Sequence, residues 1–431
     1  MGILQAAPVQ ATSPSLAHEF QTVRDMTDAL SRPLTPEDMM VQSCPEASPV
    51  KWHLAHTTWF FETFVLRPYL HDYQPYHPDF LWLFNSYYKS LGDHPEKQLR
   101  ASFSRPSLQQ IQAYRRHVEN AVMQLLNSGA SAEIWQRIEL GMHHEQQHQE
   151  LIATDMKHAF WSNPLQPMYA ESRPVRGGNF EPHQWFGYAG GLVEIGNRGD
   201  RFGFDNEFSR HQIFLQPFRL ASRPVTCAEY LHFIEDNGYG RPEFWLSDGW
   251  DAIHSLGWRA PLYWKQNAGR RWEVFTLHGW ESLENLRSTP VCHLSYYEAD
   301  AYAHWAGCRL PTEFEWEHAA ENVAVTGNLL DTGTLHPQAA PDNADPNQPT
   351  QLFGDVWEWT RSPYVAYPGY QPAPGALGEY NGKFMCNQFV LRGGSVATPA
   401  SHIRASYRNF FAPATRWQFS GIRLAADGGV A

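Results

Sequence analysis

The residue pattern changes character near residue 165, and that change limits the chain to folds built from two unlike parts. Before it, apolar residues recur at helical spacing. SPSLAHEFQTVRDMTDALSRPL opens on a Ser cap, spaces Phe20, Val23, Met26 and Leu30 along one face, and stops at Pro33. SPVKWHLAHTTWFFETFVLRPYL pairs Ser48 with Pro49 as N-cap and first helical residue, and Pro68 ends it. A third segment starts near Ser104 or Ser107 and ends at Gly129, and a fourth, ASAEIWQRIELGMHHEQQHQELIATDMKHAFWSNP, ends before Pro164. Four helices with a long connection between the second and third predict a four-helix bundle over 1–165. After a linker at 166–185, Gly, Pro, Trp and short β-like runs (GGLVEIG, HQIFLQPFRLASRPVT, FVLRGGSV, SGIRLA) predict an α+β domain over 186–431. Helices are expected there near TCAEYLHFIEDNG and SYYEADAYAHWAGC. The fold class is therefore multidomain, α followed by α+β.

Charge narrows the function. There are 33 Lys and Arg against 45 Asp and Glu, a net charge of −12, which argues against a nucleic-acid binder. No apolar run approaches the ~18 residues of a membrane span. MGILQAAPVQATSPS has neither a basic n-region nor an apolar h-region. Ala6 breaks the myristoylation pattern. The five cysteines, Cys44, Cys227, Cys292, Cys308 and Cys386, are too scattered for a disulfide framework. A reducing cytoplasm is the expected compartment. The residues do not fix the oligomeric state.

The sharpest local signal is the run from His144 to His148, HEQQH. Residues four apart share a helix face, so His144 and His148 can grip one ion. His143 and Glu145 lie about 100° to either side of His144, and Glu150 points largely away from His148. The second helix offers His53 and His56 in WHLAH as sources of a third ligand across the bundle interior. Zinc is the usual ion for bare His sites, while three His also suit iron, copper or nickel. Glu145 as the general base of a metalloprotease-like HExxH stays open on the motif alone.

WHLAH followed by HHEQQHQE resembles the DinB-type bundle of the ergothioneine-biosynthetic sulfoxide synthases (the EgtB family). RPVTCAEYLHFI, LPTEFEWEHAA, GDVWEWT, FVLRGGS and RNFFAPATRWQFSGIRLA resemble the partner domain of those enzymes, the C-type-lectin-like fold of formylglycine-generating enzyme. Together the matches run through nearly the whole chain in family order. The resemblance implies non-heme iron(II) held by His56, His144 and His148. It also implies an O2-dependent joining of a thiol to C2 of the imidazole of hercynine, with oxidation to a sulfoxide. Three neutral ligands leave three positions on an octahedral iron for the reactants. Gln147 matches a glutamine that contacts the imidazole. Asn409 and Phe410, in RNFF beside Arg408, match residues of the hercynine pocket, where an aromatic face suits a trimethylammonium.

Departures from the family pattern bear on the donor. Phe411 stands where actinobacterial members carry an Asp for γ-glutamylcysteine, and Ala414 and Thr415 lie near the place of their Arg. Free cysteine is therefore the expected donor, as in a second subgroup with a Tyr pair in the bundle, matched here by Tyr87-Tyr88. KFMCNQFV lacks the catalytic Tyr of the first subgroup, which makes Tyr87 or Tyr88 the expected proton donor. A cysteine carboxylate needs a cation, and Arg100, Arg105, Arg404 and Arg416 are candidates that the sequence does not rank. γ-Glutamylcysteine, or a selenosugar as in the selenoneine synthases, is the alternative donor. Whether the second domain holds a structural Ca2+ is also left open.

Other functions compete. A formylglycine-generating oxidase needs a close cysteine pair near the C-terminal end, and the last 32 residues from Ala400 contain no Cys. A lectin-like binding module needs no chemistry at all, and the three-His set argues against it. Thiol dioxygenation to a sulfinate is the natural side reaction of the same site.

Overall fold

The computed structural model describes residues 15–171, 175, 178, 182–342 and 344–428. The first 14 residues, which include most of the stretch read for targeting signals, and much of the linker between 172 and 181 lie outside the described residues. The chain forms two compact units.

Unit 1 runs to Tyr169 and holds four principal helices, α1 (Leu16–Ser31), α2 (Val50–Phe61), α3 (Leu108–Asn127) and α4 (Ala132–Ser162). Ser15, Ser107 and Ser131 cap α1, α3 and α4 with their hydroxyls, each accepting from the backbone N–H three residues on. At α3, Gln110 completes a capping box. Ser48 departs from its expected role. Pro49 occupies the N-cap of α2, the Ser48 N–H goes to Asp155 and its hydroxyl accepts from Arg100. α2 is buried along its whole length, which makes it the central helix of the bundle. It continues through a π-turn at Glu62–Leu66 into Arg67–Tyr69, so Pro68 falls where the helical ladder is already irregular. Gly141 on α4 lets the helices meet: a Cβ there would lie 2.5 Å from the Phe61 ring.

The unit also takes in two short segments that the sequence assigned to the second domain, Gly199–Phe202 and Ala373–Tyr380. Phe202 stacks on His143 of α4 at 3.9 Å. Glu379 accepts the backbone N–H groups of Lys89 and Ser90, both at 3.1 Å. The Glu379 contacts join residues about 290 positions apart, which no local pattern reveals.

Unit 2 holds strands β1 (Trp185–Tyr188), β2 (Gly191–Ile195), β3 (His211–Leu215), β4 (Phe218–Ala221), β5 (Trp264–Gln266), β6 (Trp272–Thr276), β7 (Gly279–Ser282), β8 (Trp357–Pro363), β9 (Phe389–Arg392), β10 (Asn409–Phe411), β11 (Ser420–Gly421) and β12 (Ala425–Asp427). They form small sheets ordered β1-β4-β12, β10-β9-β8-β11, β2-β3 and β5-β6-β7. The two expected helices are present, α5 (Cys227–Glu235) and α7 (Tyr296–Trp305). Two more, α6 (Ser247–Ser255) and α8 (Glu313–Ala320), were not expected. Thr312 and Glu315 make the capping box that starts α8, a signal present in LPTEFE. The core packs Trp316, Trp357 and Trp359 around a buried Arg423–Glu358 ion pair, with Trp316 Nε1 donating to the same carboxylate at 2.6 Å.

Candidate metal centre

His56, His144 and His148 come together inside unit 1, their ligand nitrogens all within 4.8 Å of one another. Among the described residues they form the one such group of His, Cys, Asp or Glu side chains. His144 and His148 sit one turn apart on α4, and His56 faces them from α2. Ring centroids are 4.7 Å apart for His144–His148, 4.9 Å for His56–His148 and 5.1 Å for His56–His144.

Each ring is held from behind. His56 lies between Trp52 and Trp59, and its Nδ1 is 2.7 Å from the Phe84 carbonyl. A carbonyl only accepts, so Nδ1 carries the proton and Nε2 keeps its lone pair. His148 Nδ1 meets His53 Nδ1 at 2.7 Å, and His53 Nε2 meets Asp155 Oδ2 at 3.1 Å. Of the two histidines in WHLAH, His56 faces the cluster and His53 stands behind His148. His144 packs on Phe60, and its buried Nδ1 has no hydrogen-bond partner among the described residues.

Burial lowers all three rings below the usual histidine range, His144 to about 4 and the other two well below it, with repulsion from neighbouring histidines adding to the effect at His56 and His148. They are neutral at pH 7 with lone pairs available. Neutral imidazoles and a buried nitrogen without a partner are the donor set a divalent transition metal needs. Glu145 cannot serve as a base at this centre. It is fully buried against Arg24 Nη1 at 2.7 Å and Arg115 at 3.4 Å, on another face of α4.

A cleft of ≈ 560 Å³, including space open to solvent, leads to the cluster. Gln147, Tyr87, Tyr88 and Arg100 line it, as does Tyr380 from the 373–380 segment, a residue the sequence reading missed. Burial pushes the Tyr88 and Tyr380 hydroxyls well up, so both stay protonated donors. Tyr88 packs on Trp59 and Phe64, while Tyr87 is 40% exposed and meets Tyr380 edge to face.

The candidate arginines separate. Arg404 pairs with Glu207, Arg416 with Glu298, and Arg408 with Glu313, all within unit 2, while Arg105 is exposed. Arg100 is buried, lies 3.5 Å over the Trp52 ring, and donates to the hydroxyls of Ser48 and Ser86. No carboxylate among the described residues forms an ion pair with it. Asn409, Phe410 and Phe411 make up β10 of unit 2, where Phe410 stacks on Tyr364 at 4.0 Å.

Comparison with known proteins agrees with this architecture. Residues 19–152 match the DinB superfamily, and residues 179–347 and 349–428 match the sulfatase-modifying factor enzyme 1-like domain. The hercynine oxygenase of Mycolicibacterium thermoresistibile is 30% identical over 450 residues, covering 96% of this chain and 97% of that protein. That of Mycolicibacterium smegmatis is 37% identical over 250 residues, 52% of this chain and 56% of its own length, so that match spans little more than half of the relative. Ergothioneine biosynthesis protein 1 of Schizosaccharomyces pombe is 30% identical over 235 residues, 52% of this chain and 27% of that protein. No helix among the described residues is long and apolar enough to cross a membrane. A bundle with an inward-facing three-His cluster, joined to a sulfatase-modifying-factor-like domain and matched nearly end to end, makes this chain a member of the hercynine oxygenase family of ergothioneine biosynthesis.

Proposed function

We propose that the protein is an iron(II)- and O2-dependent sulfoxide synthase that joins the sulfur of cysteine to C2 of hercynine. The observation that carries this reading is the buried, neutral trio of His56, His144 and His148 beside a cleft that also holds Arg100, a cation with no ion-pair partner among the described residues. Iron bound there supplies the redox chemistry for O2 and favours the thiolate form of the donor.

The chain's own residues do the rest. Arg100 has five N–H donors and commits two to Ser48 and Ser86. Leaving such a cation buried without an anion is costly, so a carboxylate on the substrate is its natural complement. With the hercynine carboxylate assigned to Asn409 on the family pattern, cysteine brings one, whereas a neutral selenosugar does not. This favours cysteine over the selenium donor, and the missing Asp at Phe411 favours it over γ-glutamylcysteine. Gln147, between the two α4 ligands and lining the cleft, is suited to a hydrogen bond with the hercynine imidazole. Asn409 and Phe410 are assigned to the carboxylate and trimethylammonium of hercynine on the family pattern. Tyr88, neutral and desolvated, is suited to donate a hydrogen bond, and the family pattern assigns the proton-donor role to Tyr88 or to Tyr87 beside it in sequence. The five cysteines are free thiols, which fits a reducing cytoplasm.

Mass spectrometry of products tests the reading. Iron(II)-loaded protein is given O2, hercynine and a mixture of cysteine, γ-glutamylcysteine and a selenosugar. A hercynyl-cysteine sulfoxide is expected. A selenosugar adduct moves the protein to the selenium branch, and no adduct from iron-replete protein overturns the reading. Two variants sharpen it. Arg100→Met is expected to raise the KM for cysteine ~10- to 100-fold, the worth of a charged hydrogen-bond pair, and to leave that for hercynine unchanged. Tyr88→Phe or Tyr87→Phe is expected to shift product from the coupled sulfoxide toward cysteine sulfinate. An unchanged ratio in both removes Tyr87 and Tyr88 from the proton-transfer role.

A further inference from the structure

We propose that Asp155 and His53 act as one positioning unit that fixes the tautomer of His148 and so makes it competent as a ligand. The inference rests on reading His148 as a metal ligand. The observations are the two contacts in line, His148 Nδ1 to His53 Nδ1 at 2.7 Å and His53 Nε2 to Asp155 Oδ2 at 3.1 Å.

The direction of each bond follows from elimination. A neutral imidazole has one N–H and one lone pair. Two Nδ1 atoms at hydrogen-bond distance share one proton, so one ring donates and the other accepts. If His53 donated from Nδ1, its Nε2 would carry a lone pair facing a carboxylate oxygen, two acceptors in contact. His148 would then hold its proton on Nε2 and have no lone pair there for a metal. If instead Asp155 accepts from His53 Nε2–H, then His53 Nδ1 accepts from His148 Nδ1–H, and His148 Nε2 is left with its lone pair. With both rings neutral, every atom in the line is satisfied only in this second arrangement.

The end of the line is anchored. Asp155 Oδ2 also accepts the backbone N–H of Ser48 at 2.8 Å, just before the start of α2. Asp155, His53 and His148 are all buried. His56 solves the same problem differently, with the fixed carbonyl of Phe84. A carbonyl is already a fixed acceptor. An imidazole is one only when a group on its far side chooses the tautomer, which is why His53 needs Asp155.

Leu and Asn have nearly the same shape, and Asn alone places an acceptor oxygen where His53 has Nδ1. The test is anaerobic iron(II) titration of the full-length protein against a competing chelator, on the parent, His53→Leu, His53→Asn and His148→Ala. His53→Leu is expected to bind iron ~10- to 100-fold more weakly, with His53→Asn close to the parent. A packing role would treat the two replacements alike, so equal affinities in them overturn the proposal. If His148→Ala also binds iron as the parent does, the ligand reading is what fails. Nitrogen-15 spectra of ring-labelled, metal-free protein provide a second readout that does not depend on iron. They are expected to show His148 protonated on Nδ1 and His53 on Nε2 in the parent, and mixed tautomers in Asp155→Ala. The reverse tautomers in the parent overturn the proposal even if the variants fold poorly.

Discussion

Replacing His144 or His148 with Ala is expected to abolish the coupled product and iron binding together, while the metal-free protein keeps its fold. The loss should exceed ~100-fold, the upper range for removing only a hydrogen-bond partner of a ligand. Three ligands are the minimum that holds a catalytic ion with positions left for substrate. The rings are neutral and buried, so their removal uncovers no charge. At His144 it deletes a nitrogen that has no hydrogen-bond partner among the described residues. Circular dichroism and melting of the metal-free variants, beside iron titration and product analysis, check the result. Retained iron and product in both variants would show that the cluster is not the centre. Full ligand binding without any turnover in the parent would revive the lectin-like module.

The largest effect on stability is expected at Glu145, immediately beside a ligand in sequence. Its carboxylate lies between Arg24 and Arg115, all three groups buried. Glu145→Gln removes the buried shared anion and leaves Arg24 with Glu119 at 3.8 Å and Arg115 with the exposed Asp28 at 3.0 Å. Breaking a buried pair costs about 3–5 kcal/mol when nothing else compensates the charge, so the cost here lies at the lower end. That is a large share of the ~5–15 kcal/mol that holds a typical domain together. Burial raises the Glu145 carboxyl, but the two arginines outweigh it and hold the carboxyl below the usual range. The carboxyl is therefore deprotonated more readily folded than unfolded. Its contribution is full above the unfolded value near pH ~4.3 and fades as pH falls through the lower folded value. Urea melts between pH 3 and 7 are expected to show a smaller acid-side loss in Glu145→Gln than in the parent. A variant that melts like the parent yet loses chemistry would instead restore Glu145 as a base.

The two predictions concern neighbours one residue apart, and helical geometry separates them. HEQQH shows two His on one face and a Glu about 100° away, so the sequence already placed Glu145 off the ligand face. It did not show what Glu145 faces, because Arg24 and Arg115 reach it from α1 and α3. WHLAH likewise offered two histidines. His53 and His56 are three apart on a helix buried all round, and burial alone does not rank them. What ranks them is a carbonyl from the connection after α2 and a carboxylate from α4. Arg100 could not be told from Arg404 or Arg416 by composition, since the difference is whether a carboxylate already lies beside it.

The sequence by itself determined the two-part organisation, the bundle helices with most of their caps, and the His pair on α4. These depend on spacing within a single helix or on a cap three residues away, and such relations are local. Only the tertiary structure decided which histidine completes the cluster, which arginine is left without an anion, and that Tyr380 lines the same cleft as Tyr87 and Tyr88. Each of those depends on partners brought together from distant parts of the chain. A lone pair is left for a metal, or a cation for a substrate, only by what every neighbouring group has already bonded. That count exists only once the chain has folded.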